Sequence, residues 1–218
     1  MVTLQEKAVK FNNHLIVSHD GGRLSNDSGL VLIDELMDAF KFTQLSEAIV
    51  LFKENRKYWM HSNHKILKQL VLQIIAGYDT DSAANLLQHD PVLQTLLPDG
   101  HLVSQSSISR ILKRVTKGTI DSFQVFNQAL IDQARLVRND TNMVIDLDST
   151  HSDTFGNQEQ TAYNAQYKTT CYHPFVAFDG LTGDFLKAKL RSGNQYTSNG
   201  VKEFLDPLLE HYNQIVPT

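Results

Sequence analysis

The stretch Met143-Val144-Ile145-Asp146-Leu147-Asp148-Ser149-Thr150 constrains this chain more than any other. Its apolar residues Met143, Ile145 and Leu147 alternate with a second set that includes Asp146 and Asp148, and a period of two predicts a β-strand. The same alternation places Asp146 and Asp148 on one face, about 7 Å apart along the strand. Adjacent carboxylates repel unless a cation or a hydrogen-bond network compensates them. A strand end on a solvated sheet face tolerates such a pair at little cost. A divalent-metal site uses it, because hard cations such as magnesium take carboxylate oxygens as ligands. Strands are depleted in Asp, so two in one strand favour the metal reading.

Before this strand the chain reads as helical. Asp27 or Ser28 can cap a segment in which Leu32, Ile33, Leu36, Met37 and Phe40 recur at helical spacing, and a second helix is expected over 45–54. Ser62 caps the clearest helix, with Ile66, Leu67, Leu70, Val71, Ile74 and Ile75 on one face and Gly77 as its stop. Short helices are expected after Asp79-Thr80-Asp81 and from Asp90-Pro91, the latter closed by the turn Pro98-Asp99-Gly100. A long helix with Ile120, Phe123, Phe126, Leu130, Ile131, Ala134 and Val137 as its stripe ends at 138–142. Helical periodicity gives way to strand periodicity there, which puts the expected domain boundary between 1–140 and 141–218. Phe11 to Val17 reads as a short strand and His19-Asp20-Gly21-Gly22 as a turn.

After the Asp strand, 151–167 is polar and reads as an irregular loop. His151 and Asp153 lie close enough to join a metal site, although a loop position is the simpler reading. Two strands, Pro174 to Phe178 and Phe185 to Leu190, flank a hairpin turn in which Asp179 and Asp184 read as turn formers. Ser198-Asn199 caps a last helix that Pro207 should kink or restart.

Ser104 to Lys117 carries the main binding signal. Ile108, Ile111, Leu112 and Val115 fall on one side of a helix, and Arg110, Lys113, Arg114 and Lys117 nearly opposite. A solvated basic face and a DNA-contacting helix, as in a helix-turn-helix, are both open. A second basic cluster of Lys53, Arg56, Lys57, Lys65 and Lys68 tilts the balance toward phosphate contacts. The net charge of −4 does not advertise a nucleic-acid partner. Residues 1–140 hold 15 basic and 15 acidic side chains, however, and 141–218 hold five and nine, so the whole acidic excess surrounds the Asp pair.

At 218 residues the chain can bury a real core. No apolar run approaches the ~20 residues of a membrane span, and no signal-peptide pattern opens the sequence. A single cysteine, Cys171, excludes an internal disulfide framework, reads as packing and fits a reducing, cytoplasmic setting. His61-x-x-His64 has metal-ligand spacing but reads as helix surface.

Ile145 to His151, Ala162-Tyr163-Asn164, Tyr172-His173-Pro174-Phe175 and Phe178 to Asp184 together resemble the DDE transposases of bacterial insertion sequences. Arg191-Ser192-Gly193-Asn194, Tyr196 to Gly200, Gly77-Tyr78, His89-Asp90-Pro91-Val92 and Leu102 to Arg110 extend the similarity, which runs from about Gly29 onward. The resemblance implies an α+β protein: a helical, DNA-binding N-terminal region, then the first strand, hairpin and helix of a ribonuclease H-like α/β core. It implies transposition through two Mg2+ (or Mn2+) ions, one activating the attacking hydroxyl and one stabilising the leaving oxygen. Double-stranded transposon ends are the implied partner, with self-association on DNA. Asp148, in the Asp-Ser-Thr element, matches the family's first catalytic aspartate, and Asp146 is the reserve ligand.

The sequence departs from the pattern in one respect. The second catalytic Asp and the later Glu have no matching motif before Thr218, and Asp179, Asp184 and Glu159 do not sit in one. The expectation is therefore the N-terminal portion of a transposase, with metals bound only in a complete site and little activity from this chain alone. Two rivals remain. One is a non-catalytic fragment that occupies transposon ends. The other is a haloacid-dehalogenase-like phosphatase, since Asp146-x-Asp148-x-Thr150 also fits its nucleophile motif.

Overall fold

A computed structural model describes residues 7–9, 12–17, 22, 24–54 and 57–215, and the expected turn at 19–22 lies largely outside them. Among the described residues the protein is α+β, with eight α-helices and three small antiparallel sheets. It divides into two compact units, Met1–Thr119 and Ile120–Thr218. The change of periodicity at 140 marks the end of the long helix, whereas the boundary between the units falls within that helix's first turn.

In the first unit, β1 (Lys7–Val9) and β2 (Asn12–Val17) form a hairpin. Six helices follow: α1 (Leu30–Ala39), α2 (Phe42–Ile49), α3 (Asn63–Ile75), α4 (Ala83–Leu86), α5 (Pro91–Leu96) and α6 (Gln105–Leu112). Their ends follow local chemistry. Ser62 Oγ accepts from the Lys65 N–H at 3.1 Å to start α3, and Gly77, at φ 89°, follows its end. Asp90 Oδ1 accepts from the Val92 and Leu93 N–H groups at 2.9 Å, with Pro91 in the first helical position. The second helix stops at Ile49, short of 54, where Val50 turns extended and is buried. Ile66, Ala84, Val103, Ile108 and Ile111 form a core. The Gln69 amide, fully buried, gives one bond to Val103 O (3.0 Å) and takes one from Val103 N (2.6 Å). It thereby supplies the partners that a strand would otherwise provide.

The helix read from Ser104 to Lys117 is shorter than expected, and Lys117 opens the long helix that follows it. α6 ends at Leu112, and α7 (Lys117–Arg138) begins after a turn. Thr116 and Thr119 cap that start reciprocally, Thr119 N–H to Thr116 Oγ1 (3.3 Å) and Thr116 N–H to Thr119 Oγ1 (3.2 Å). This is a capping box built with Thr in place of the usual Glu or Gln.

In the second unit, β3 (Ile145–Ser149), β7 (Phe175–Asp179) and β8 (Phe185–Lys189) make an antiparallel sheet in that order. α8 (Val201–Ile215) runs through Pro207 without a break and sends Phe204, Leu208 and Tyr212 to the core. There they meet Ile131, Phe175, Ala177 and Leu186, with Ile145 and Leu147 packed alongside. Gln124 and Asn127 of α7 donate to the Ala188 and Phe185 carbonyls, both at 2.8 Å, covering the outer edge of β8. The outer edge of β3 pairs with no strand among the described residues. The stretch expected to be irregular holds β4 (Ser152–Asp153) and β5 (Ala162–Asn164), which pair on either side of β6 (Thr169–Tyr172). Strands of two to four residues leave too few alternations to be seen as a period.

Candidate active site

Strand β3 divides its side chains as its periodicity requires. Ile145 and Leu147 pack on the core, while Asp146 and Asp148 are exposed on the opposite face. Asp146 stands across from Phe178 and Asp148 from Val176. Asp148 Oδ1 accepts from the Ser149 N–H at 2.7 Å. Among the described residues neither carboxylate has an ion-pair partner. The carboxylates of the adjoining hairpin differ. Asp179, fully buried, is paired with the buried Arg135 of α7 at 2.9 Å and also accepts from the Val144 and Leu181 N–H groups. Asp184 is paired with Arg138. Asp179 thus does form its turn, but it also ties α7 to the start of β3, which the reading as a turn former did not contain.

Gly180 separates the two kinds of aspartate. A Cβ there would lie 3.2 Å from Asp146 Oδ2 and 3.5 Å from Val144 O, so the bare backbone leaves Asp146 its position.

Asp148 lines a cavity of about 420 Å3 with Phe175, Tyr196, Thr197, Ser198 and Val201. The 191–200 segment is fixed there by Arg191. Its guanidinium lies 3.3 Å from the Phe175 ring centre and donates to the His173, Tyr196 and Asn199 carbonyls (2.9, 3.1 and 2.8 Å). Burial pulls the Arg191 pKa down. A stacked, buried guanidinium with three carbonyl partners is a rigid staple, and Lys could not replace its fork. Gly193 is enforced by space: a Cβ would meet Cys171 O at 2.3 Å and Ala162 O at 2.4 Å. Arg191 and Gly193 were visible in the sequence only as motif letters, since both roles depend on backbone far away in the chain.

The remaining candidates are placed as follows. His151 stacks on Tyr167 with ring centres 4.1 Å apart, and Asp153 belongs to β4 in the other sheet. Cys171 is buried, which pushes its thiol pKa up. Among the described residues no group of three or more His, Cys, Asp or Glu is arranged to hold a metal ion. Two carboxylates of suitable hardness, on one face and without a competing cation, fit part of a magnesium or manganese site.

In the first unit, Arg110, Lys113 and Lys117 are exposed. Arg110 Nη2 also reaches Ser106 Oγ at 3.0 Å. Arg114 is half-buried and donates to Asn63 Oδ1 at 2.9 Å, so it faces inward. The four cations belong to α6, the following turn and the first residue of α7, not to one helix face. In the second basic cluster, Lys65 is paired with Asp99 and Lys68 with Asp34, while Lys53 and Lys57 are exposed; Arg56 lies outside the described residues. His61 and His64 both have lowered pKa values, chiefly from burial.

No described helix is long and apolar enough to cross a membrane. A family model for the transposase DDE domain, group 1, matches residues 7–218. No curated protein and no solved structure matches the chain.

Proposed function

Because this chain belongs to the DDE transposase family, whose members cut nucleic acid and act on DNA, we propose that it is an insertion-sequence transposase in which Asp148 is a metal-binding catalytic carboxylate. The observation that carries this reading is the unpaired state of Asp148 and Asp146 in a sheet whose other carboxylates are neutralised by arginine. Asp148 takes the leading role because it lines the cavity under Tyr196 to Ser198. Asp146, one pleat away on the same face, is the second ligand. A divalent metal bound there would supply charge to the attacking and leaving oxygens of a phosphodiester. The chain's own residues hold the carboxylates side by side on β3 and keep cations away from them.

The order strand, antiparallel hairpin, helix over β3, β7, β8 and α8 supports a ribonuclease H-like core. It does not suit a haloacid-dehalogenase-like phosphatase, which needs its Asp strand followed by a helical crossover to a parallel neighbour. We assign the binding of double-stranded transposon ends to the helical part of the chain, through Arg110, Lys113 and Lys117, with Arg114 acting by holding Asn63. Self-association on DNA belongs to the same reading.

The test is cleavage of transposon-end DNA with Mg2+ or Mn2+ by the intact transposase. Asp148→Asn should lower the rate by more than about 100-fold, since even outer partners of a metal cost 10- to 100-fold, and leave end binding intact. Cleavage that survives Asp148→Asn would overturn the assignment. Binding without cleavage in the unsubstituted protein would favour a non-catalytic occupant of the ends. Changing Arg110, Lys113 and Lys117 to Ala should weaken binding and flatten its salt dependence by roughly one unit of slope for each phosphate no longer neutralised.

A further inference from the structure

A second cavity, of about 380 Å3, opens beside the one that Asp148 lines, and Tyr196 and Thr197 belong to both. Its volume lies within the usual range of ligand pockets. No Asp, Glu, Lys or Arg side chain lines it, which leaves nothing to neutralise a phosphate or to ligate a hard cation. What it offers is aromatic and amide chemistry. Tyr163 and Tyr196 are 61% and 79% exposed. The side-chain amides of Gln166 and Asn194 have no partner among the described residues. Such a lining suits a flat, neutral ligand with donors and acceptors along its edge.

The backbone around the cavity is held in place by hydrogen bonds. Asn164 donates to Gly193 O at 2.7 Å and accepts from the Gln166 and Tyr167 N–H groups at 2.9 and 3.2 Å. His173 Nδ1 lies 2.9 Å from Gln195 O, and Arg191 anchors Tyr196 and Asn199 from beneath. The backbone of the pocket therefore needs no further ordering, and the cost left to a ligand is that of fixing the exposed Tyr163, Gln166, Asn194 and Tyr196 side chains.

We propose that this cavity receives one unpaired nucleobase of the DNA strand bound at Asp148, stacked on Tyr163 or Tyr196 and read along its edge by Gln166 and Asn194. The proposal rests on the reading of Asp148 as the phosphate-proximal ligand, because the shared wall at Tyr196 and Thr197 puts the base of a neighbouring nucleotide within reach. A base inside a duplex presents neither face, so the occupant is an extruded or single-stranded one. Stacking on an aromatic side chain supplies most of the affinity and tolerates any base.

The probe is a duplex with a single unpaired 2-aminopurine, compared with the same duplex abasic at that position, without metal. The intact protein should bind the first more tightly, by roughly 5- to 150-fold for one stacked base, and change its fluorescence. Tyr163→Ala should remove much of that difference, Tyr163→Phe should retain it, and Gln166→Ala should reduce it; neither Tyr163 nor Gln166 lines the Asp148 cavity. Equal affinity for the two duplexes in the intact protein, or an unchanged difference in Tyr163→Ala, Tyr196→Ala and their double variant, overturns the pocket. Asp148→Asn separates the two readings. If cleavage persists in it, the catalytic assignment fails and the pocket is still judged on the base-dependent difference alone.

Discussion

Two pairs of aspartates on one small sheet are treated in opposite ways. Asp179 and Asp184, in the β7–β8 hairpin, each face an arginine of α7, whereas Asp146 and Asp148, on β3, have no ion-pair partner among the described residues. All four are acids in or beside strands, and composition does not distinguish them. The difference lies in partners contributed from 44 and 46 residues away. On the proposed reading, a carboxylate kept for structure is neutralised within the fold, and one kept for a ligand is left for the ligand to neutralise.

The largest expected effect tests the structural pair. Removing one partner of a buried ion pair strands the other charge, at a cost of about 3–5 kcal/mol. Asp179→Ala or Arg135→Ala should show this in hydrogen exchange of the second unit's amides, a local readout suited to a chain with two units. Asp148→Ala, at an exposed position, should stay within about 0.5 kcal/mol. Comparable losses at Asp148 and Asp179 would break the comparison.

The same contrast shows how far the sequence could be read. Local rules located β3, its two faces, the hairpin and the Ser62 and Asp90 caps, because each depends on residues within a few positions. The exposed face of Asp148 was legible for that reason, being a property of the strand's own alternation. The Arg135–Asp179 pair, the Arg191 staple and the enforced Gly193 were not, since each is defined by an interaction across the chain. The early end of α6 and the start of α7 at Lys117 escaped because Thr119 stands where a capping box usually has Glu or Gln. Arg114 then turned from an expected DNA-facing cation on a helix face into a partner of Asn63.

A smaller effect is expected at the residue between the two pairs. Gly180→Ala would place a methyl group 3.2 Å from Asp146 Oδ2, on an exposed side chain free to move aside. The stability change should stay below about 1 kcal/mol, with the Asp179 pair intact. If Asp146 is a metal ligand, displacing it should still cost about 10-fold in Mn2+ requirement for cleavage, by analogy with disturbed partners of bound metals. An unchanged requirement would leave Asp148 as the working carboxylate and make Asp146 a bystander on the same face.

The smallest effect sharpens the structural side. Burial alone would raise the Asp184 pKa, but hydrogen bonds from Arg138 and Thr182, with the charges of Arg138 and Arg135, outweigh it and hold the carboxyl below its usual range. A folded pKa below the unfolded value of about 3.9 means the unfolded chain binds the proton more readily. The pair's contribution is therefore complete above pH ~4 and is lost as pH falls through the folded value. Arg138 is more than a third exposed, so solvent screening limits the pair to about 0.2–1 kcal/mol. Asp184→Asn should flatten the acid limb of the second unit's stability curve by that amount, and Arg138→Ala should flatten it similarly. An acid limb unchanged in both variants would mean that Asp179 and Arg135 carry the structural half of the comparison without the exposed pair.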